Sequence, residues 1–167
     1  HHAEHRITTV NLAPVDDQEH AAPVPTEIDE KLARLRELGI WVSAPAGNHK
    51  FTNGISWPAS QPNCFAIGAV VAGKDVIHLD RSEKIELLVP AAATSSSNAI
   101  ACGAAMILRE AIEKGRYQWQ ADGKNLPEAM MKIFQQTGVP VTDPATGRTF
   151  RRLDLLAAVQ HVMKLPR

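Results

Sequence analysis

The chain has 167 residues, 44% of them hydrophobic and 22% charged, which is enough for one compact domain with its own core. Lys plus Arg and Asp plus Glu number 18 each, so nothing favours a nucleic-acid partner, whose phosphates select a clustered basic surface. No apolar run approaches the roughly 20 residues of a membrane span, and no basic stretch followed by an apolar one opens the chain, so neither a membrane partner nor a signal peptide is expected.

Short apolar runs alternate with helical patterns, the mark of an α/β layer architecture. "RITTVNL" (6–12) is β-branched and predicts a short buried strand. Residues 13–26, with Pro14, Pro23, Pro25 and the acids Asp16, Asp17 and Glu19, read as a surface loop. A helix follows over 26–39, with Thr26 as cap, Asp29 three residues on, a stripe of Ile28, Leu32, Leu35 and Leu38, and Gly39 as the stop. "IWVSAPAGN" (40–48) reads as a strand with its exit turn, 64–79 as a hairpin turning near Gly73, and 84–90 as another strand. From Ser95 to Gly115 the pattern is helical and rich in small residues, and its apolar first half predicts burial. A helix over 125–137 ends at Gly138, a hairpin turns over "DPATG" (143–147), and an amphipathic helix over 153–163 follows. Cys64 and Cys102 lie in apolar surroundings and read as small core residues, a single disulfide being the alternative.

Two stretches carry polar groups where apolar strands end. "ATSSSNAIACG" (93–103) sets Thr94, Ser95, Ser96 and Ser97 at the start of the small-residue helix, where unpaired N–H groups favour developing negative charge. Such a position suits a nucleophile, although Thr94, Ser95 or Ser97 acting as a simple helix cap is the commoner use of such a run. "APAGN" (44–48) brings Gly47 and Asn48 directly after a strand, so that Asn48 either presents an amide donor or occupies a left-handed turn.

Joined with "WPASQPNCFAIGAV" (57–70), these blocks resemble the C-terminal half of the catalytic domain of subtilisin-like serine proteases, the subtilases. In that family a strand ends in A-A-G-N, an aromatic-proline pair precedes a strand like "AVGAV", and G-T-S-x-A begins a buried helix. The resemblance extends over nearly the whole chain. It implies a three-layer fold with a mainly parallel sheet between helices, residues 1–167 forming the C-terminal part of one domain. It also implies a serine endopeptidase acting on peptide or protein substrates, with no cofactor, no metal centre and an extracytoplasmic setting. Ser95 matches the nucleophile and Asn48 the oxyanion-hole asparagine, while Ala13, Ala46, Gly47 and Ser56 match substrate-binding positions. The matching Trp57–Pro58 bond is expected to be cis.

The family's catalytic Asp and His precede these blocks in chain order, so the resemblance implies an N-terminal half outside this sequence as the domain's partner. Without a base a serine hydroxyl is a weak nucleophile, and the chain alone is expected to be a negligible protease with an open apolar face that promotes association. His49 and His78 show no spacing that implies pairing with Ser95, and His1 and His5, though i,i+4, read as a tag remnant or a frayed helix rather than a metal site. Departures from the family's pattern are the short link from Pro90 to Thr94, Ala93 and Ala99 in place of Gly and Pro, and Pro14 in the segment that pairs with substrate. They support the alternative of a subtilase-derived pseudoenzyme or a binding domain without proteolytic activity.

Overall fold

The computed structural model describes residues 2–164. Its strands are β1 (Thr9–Asn11), β2 (Trp41–Pro45), β3 (Phe65–Val70), β4 (Ile85–Pro90), β5 (Val139–Thr142) and β6 (Thr149–Arg152). They form one six-stranded sheet in the order β1-β2-β3-β4-β6-β5, parallel except for the β5–β6 hairpin. The helices are α1 (Asp29–Glu37), α2 (Thr94–Gly115), α3 (Leu126–Thr137) and α4 (Leu155–Met163). None is long and apolar enough to cross a membrane.

Side chains alternate along a strand, and that alternation makes three layers here. Trp41, Phe65, Ile67, Leu87 and Val89 share a core with Leu108 of α2, Phe134 of α3 and Val162 of α4. Val42, Ala44, Ala66 and Leu88 pack on the opposite face with Leu32 of α1 and with Ile55, Ala59 and Cys64. The fold is thus the mainly parallel α/β sandwich expected from the sequence. Local signals set several helix ends but not the start of α1: its N-cap is Ile28 with no side-chain cap, and Thr26, expected as the cap, instead donates from N and Oγ1 to the Asp29 carboxylate, while Gly39 follows the end of α1 with φ +74°. Asn125 accepts from Glu128 N at the start of α3, and Asp154 does the same for Ala157 N at α4.

Three further expectations change in the fold. The buried strand over 6–12 is a three-residue edge strand with Ile7 43% exposed, because β1 pairs with β2 alone. Residues 64–79 are not a hairpin. β3 is hydrogen-bonded in parallel to β2 on one side and β4 on the other, which leaves no free edge for a return strand; only a bridge between Val70 and Ile77 remains beyond the turn at Gly73. Nor is the first half of α2 wholly buried, since Ala99 and Gly103 are exposed and Ile100 is 48% exposed; Met106 and Ile107, just beyond it, are 55% and 51% exposed. Cys64 and Cys102 are buried and free, and burial pushes the Cys64 thiol up to about 12.

The β5–β6 turn is anchored by charge. Arg81 Nε donates to Asp143 Oδ2 at 3.0 Å with both side chains nearly buried, and Ala145 N and Thr146 Oγ1 donate to the same carboxylate. Burial alone raises the Asp143 pKa, but the hydrogen bonds from Thr146, Arg81 and Ala145 outweigh it and hold it below its ordinary value. A carboxyl depressed in the folded state contributes stability above its unfolded pKa and loses it as pH falls through the folded one. Asp143→Ala, which strands a buried Arg81, is therefore expected to lose about 3–5 kcal/mol at pH 7 in urea denaturation. The gap to the wild type should narrow as pH drops below about 4. A gap of constant size from pH 7 to pH 3 would refute this account.

Candidate active site

Parallel strands point the same way, so the segments leaving β2, β3 and β4 meet at one edge of the sheet, where open α/β sheets place their sites. The β2 exit passes Ala46, whose N–H bonds Ile67 O, and then Gly47 at φ +113°. A Cβ on Gly47 would lie 2.1 Å from Asp80 Oδ2 and 2.3 Å from Ser56 Oγ, so sterics and backbone angle both demand glycine.

Asn48 Oδ1 accepts from Thr94 N at 2.9 Å and from Thr94 Oγ1 at 3.0 Å, and Gly47 N donates to Thr94 Oγ1 at 3.1 Å. This closed set ties the β2 exit to the first residue of α2. It commits the acceptor of the Asn48 amide and leaves Nδ2 as its free donor. The N-cap residue of α2 is Ala93, in extended conformation, and no side chain of the helix caps it. The simple capping reading of Thr94, Ser95 or Ser97 is thereby corrected, because Asn48 fills that role from another loop. Ser97 Oγ donates instead to Val89 O at 2.9 Å. Ser95 follows Thr94 in the first turn and is exposed, beside the positive end of the 22-residue helix.

The other expected residues gather around this contact. Ser56 N donates to Ala46 O at 2.7 Å, and both residues are buried. Ala13 is exposed. Its segment reaches the same region because Leu12 N bonds Ser43 O, while Asp16 exchanges bonds with the Trp57 backbone. Burial raises the Asp16 pKa, but hydrogen bonds from His20 and Trp57 N–H prevail and lower it. The Trp57–Pro58 bond is cis.

Sequence reasoning missed two residues here. Asn98, buried one turn into α2, donates from Nδ2 to Asn11 Oδ1, Leu12 O and Ser43 O, clamping the ends of β1 and β2 to the helix. Nothing in "SSSNAIA" separated Asn98 from a polar residue in passing. Asp80, also buried, accepts from Phe51 N at 3.0 Å and lies 3.4 Å from His49 Nδ1. His49 therefore pairs with Asp80 and stacks on Phe51. Among the described residues no three His, Cys, Asp or Glu side chains gather as a metal site, and His1 of the sequence-level pair lies outside the described residues.

No family model matches the chain, and no curated protein sequence matches it. Solved structures do. The prenylagaramide maturation protease PagA superposes with TM-score 0.74 at 18% identity, over 99% of this chain and 65% of that one. The patellamide maturation protease PatA gives 0.71 at 17%, over 98% and 65%. The PatG macrocyclase in complex with peptide gives 0.66 at 15%, over 97% and 53%. The fold shared with these proteins is subtilisin-like, and the chain spans just under two thirds of the length of the first of them.

Proposed function

We propose that this chain carries the nucleophile and oxyanion hole of a subtilisin-type serine endopeptidase, in a domain completed by a preceding segment that bears the catalytic Asp and His. Ser95 Oγ attacks the scissile carbonyl and forms the C–O bond. Its proton passes to the histidine of the completing segment and from there to the departing amine as the C–N bond breaks. The oxyanion is held by Asn48 Nδ2 and the Ser95 N–H at the start of α2. One observation supports this reading: Thr94, the residue before Ser95, pins the Asn48 amide by its oxygen and leaves its donor uncommitted. A completing segment fits the single-sided pairing of β1 and the exposed Ile100, Met106 and Ile107 of α2.

Two substitutions separate donor from anchor. Asn48→Asp keeps an oxygen for Thr94 and removes the amide donor, whereas Asn48→Ala removes both. In the complete polypeptide each is expected to lower kcat by about 10²–10³, the scale known for the corresponding asparagine of subtilisin, with KM little changed. Unaltered kcat in Asn48→Asp refutes the oxyanion assignment. The short link Ala91–Ala93 between β4 and α2 favours the second reading, a non-proteolytic binding domain. That reading prevails if the complete polypeptide binds peptides but does not cleave them.

A further inference from the structure

Asn48 sits on an exposed loop, and the groups that fix that loop come from elsewhere in the chain. Two positions around Asn48 are left-handed, Gly47 at φ +113° and Lys50 at φ +69°. A non-glycine residue keeps such an angle only where its surroundings impose it. Thr94 fixes the oxygen of the Asn48 side chain, but the backbone that carries it is held by Asp80, from the segment between β3 and β4. Asp80 N donates to Gly47 O at 3.3 Å on one side of Asn48, and Asp80 Oδ1 accepts from Phe51 N at 3.0 Å on the other. The second carboxylate oxygen faces His49 Nδ1 at 3.4 Å, and the His49 ring stacks on Phe51. Arg81 N closes the set by donating to Phe51 O at 3.0 Å, while its side chain is committed to Asp143. The Asp80 side chain is buried, so water does not compete for these bonds.

Resting on the protease reading above, we propose that Asp80 is a positioning residue for the oxyanion donor: through Gly47, His49 and Phe51 it sets the backbone from which Asn48 Nδ2 reaches the reacting carbonyl. Asp80 touches neither the substrate nor the reacting atoms, and its effect is geometric. An oxyanion donor acts from a fixed position about 3 Å from the developing charge, and a misplacement of about 1 Å costs on the order of 10²-fold in rate. Thr94 fixes a single atom, Oδ1, about which Nδ2 can still swing as the backbone moves. A brace on both sides of Asn48 removes that freedom.

The test measures kcat and KM of the complete polypeptide for a peptide substrate, with each change at Asp80 or His49 made alone and combined with Asn48→Ala. Asp80→Ala, which removes the acceptor for Phe51 N, should lower kcat by about 10- to 10²-fold and leave KM within about twofold. Asp80→Asn keeps an oxygen for Phe51 N and should restore kcat to within about threefold of wild type. His49→Phe keeps a ring against Phe51, loses the contact with Asp80 and should lower kcat by about threefold. The His49 side chain is 36% exposed, so this variant decides the matter even if Asp80→Ala does not fold. In the Asn48→Ala background no donor is left to position, and Asp80→Ala and His49→Phe should each change kcat by less than about twofold. Effects that keep their full size in that background, effects on KM rather than kcat, or wild-type turnover in both variants overturn the inference and spare the protease reading. Absence of any turnover that Ser95→Ala removes, or an unchanged kcat in Asn48→Ala, overturns both.

Discussion

Ser95→Ala in the complete polypeptide is expected to reduce peptide hydrolysis by about 10⁶-fold in kcat, the scale on which subtilisin responds to loss of its nucleophile. The physical reason is that no neighbouring hydroxyl can substitute. Thr94 Oγ1 is engaged with Asn48 and Gly47, and Ser97 Oγ with Val89 O, which leaves Ser95 and Ser96 as the exposed hydroxyls of the run. On a helix Ser96 points about 100° away from Ser95, so it cannot share the same reacting carbonyl. The companion measurement is hydrolysis by residues 1–167 alone. On the proposed reading, in which the base comes from a preceding segment, the expected turnover is at most about 10³–10⁴ over the uncatalysed rate. Ser95-dependent turnover by that chain approaching the complete polypeptide would show that the base lies within it.

Gly47→Ala should be strongly destabilising, because Gly47 alone among the described glycines combines a positive φ with Cβ clashes under 3 Å. The added Cβ would overlap a buried carboxylate oxygen and a buried hydroxyl, and the backbone angle of φ +113° is one that alanine rarely adopts. Asp80, the nearer neighbour, cannot simply retreat, because its carboxylate accepts from Phe51 N and its side chain is buried. Overpacking and strain together are expected to cost about 3–5 kcal/mol, lowering Tm by roughly 10 °C or more for a domain of this size. Activity should fall as well, because the displaced segment carries Asn48. Gly103→Ala is the internal contrast. In residues 1–167 it sits on the exposed side of α2 with nothing within 4 Å of its Cβ position, and alanine there should gain up to about 1 kcal/mol in that chain. Equal behaviour of the two variants in thermal melts would remove the steric argument for Gly47.

Much of the layer order could be read from the chain because it depends on local chemistry. Gly39 and Gly138 end helices where expected, Asn125 caps α3, and the "DPATG" turn forms between β5 and β6. The expectations that changed are those that depend on neighbours distant in sequence. Residues 64–79 have the local look of a hairpin, yet β3 already spends both edges on β2 and β4. The apolar first half of α2 reads as buried, but burial depends on what covers a face, and Ile100 meets solvent here, as do Met106 and Ile107 just beyond that half.

The candidate site divides along the same line. By itself the sequence determined that a Gly-Asn pair and a hydroxyl run would each follow a strand, since strand ends and helix starts are written in residues a few positions apart. Only the tertiary structure decided that the two meet, across 46 residues, through the Asn48 amide and Thr94. It also decided that the helix is capped by Asn48 rather than by its own serines, that Asp80 and Ser56 close against Gly47, and that His49 turns to Asp80. Those outcomes depend on strand order in a parallel sheet, whose neighbours are joined by long crossovers and so leave no mark within a local window.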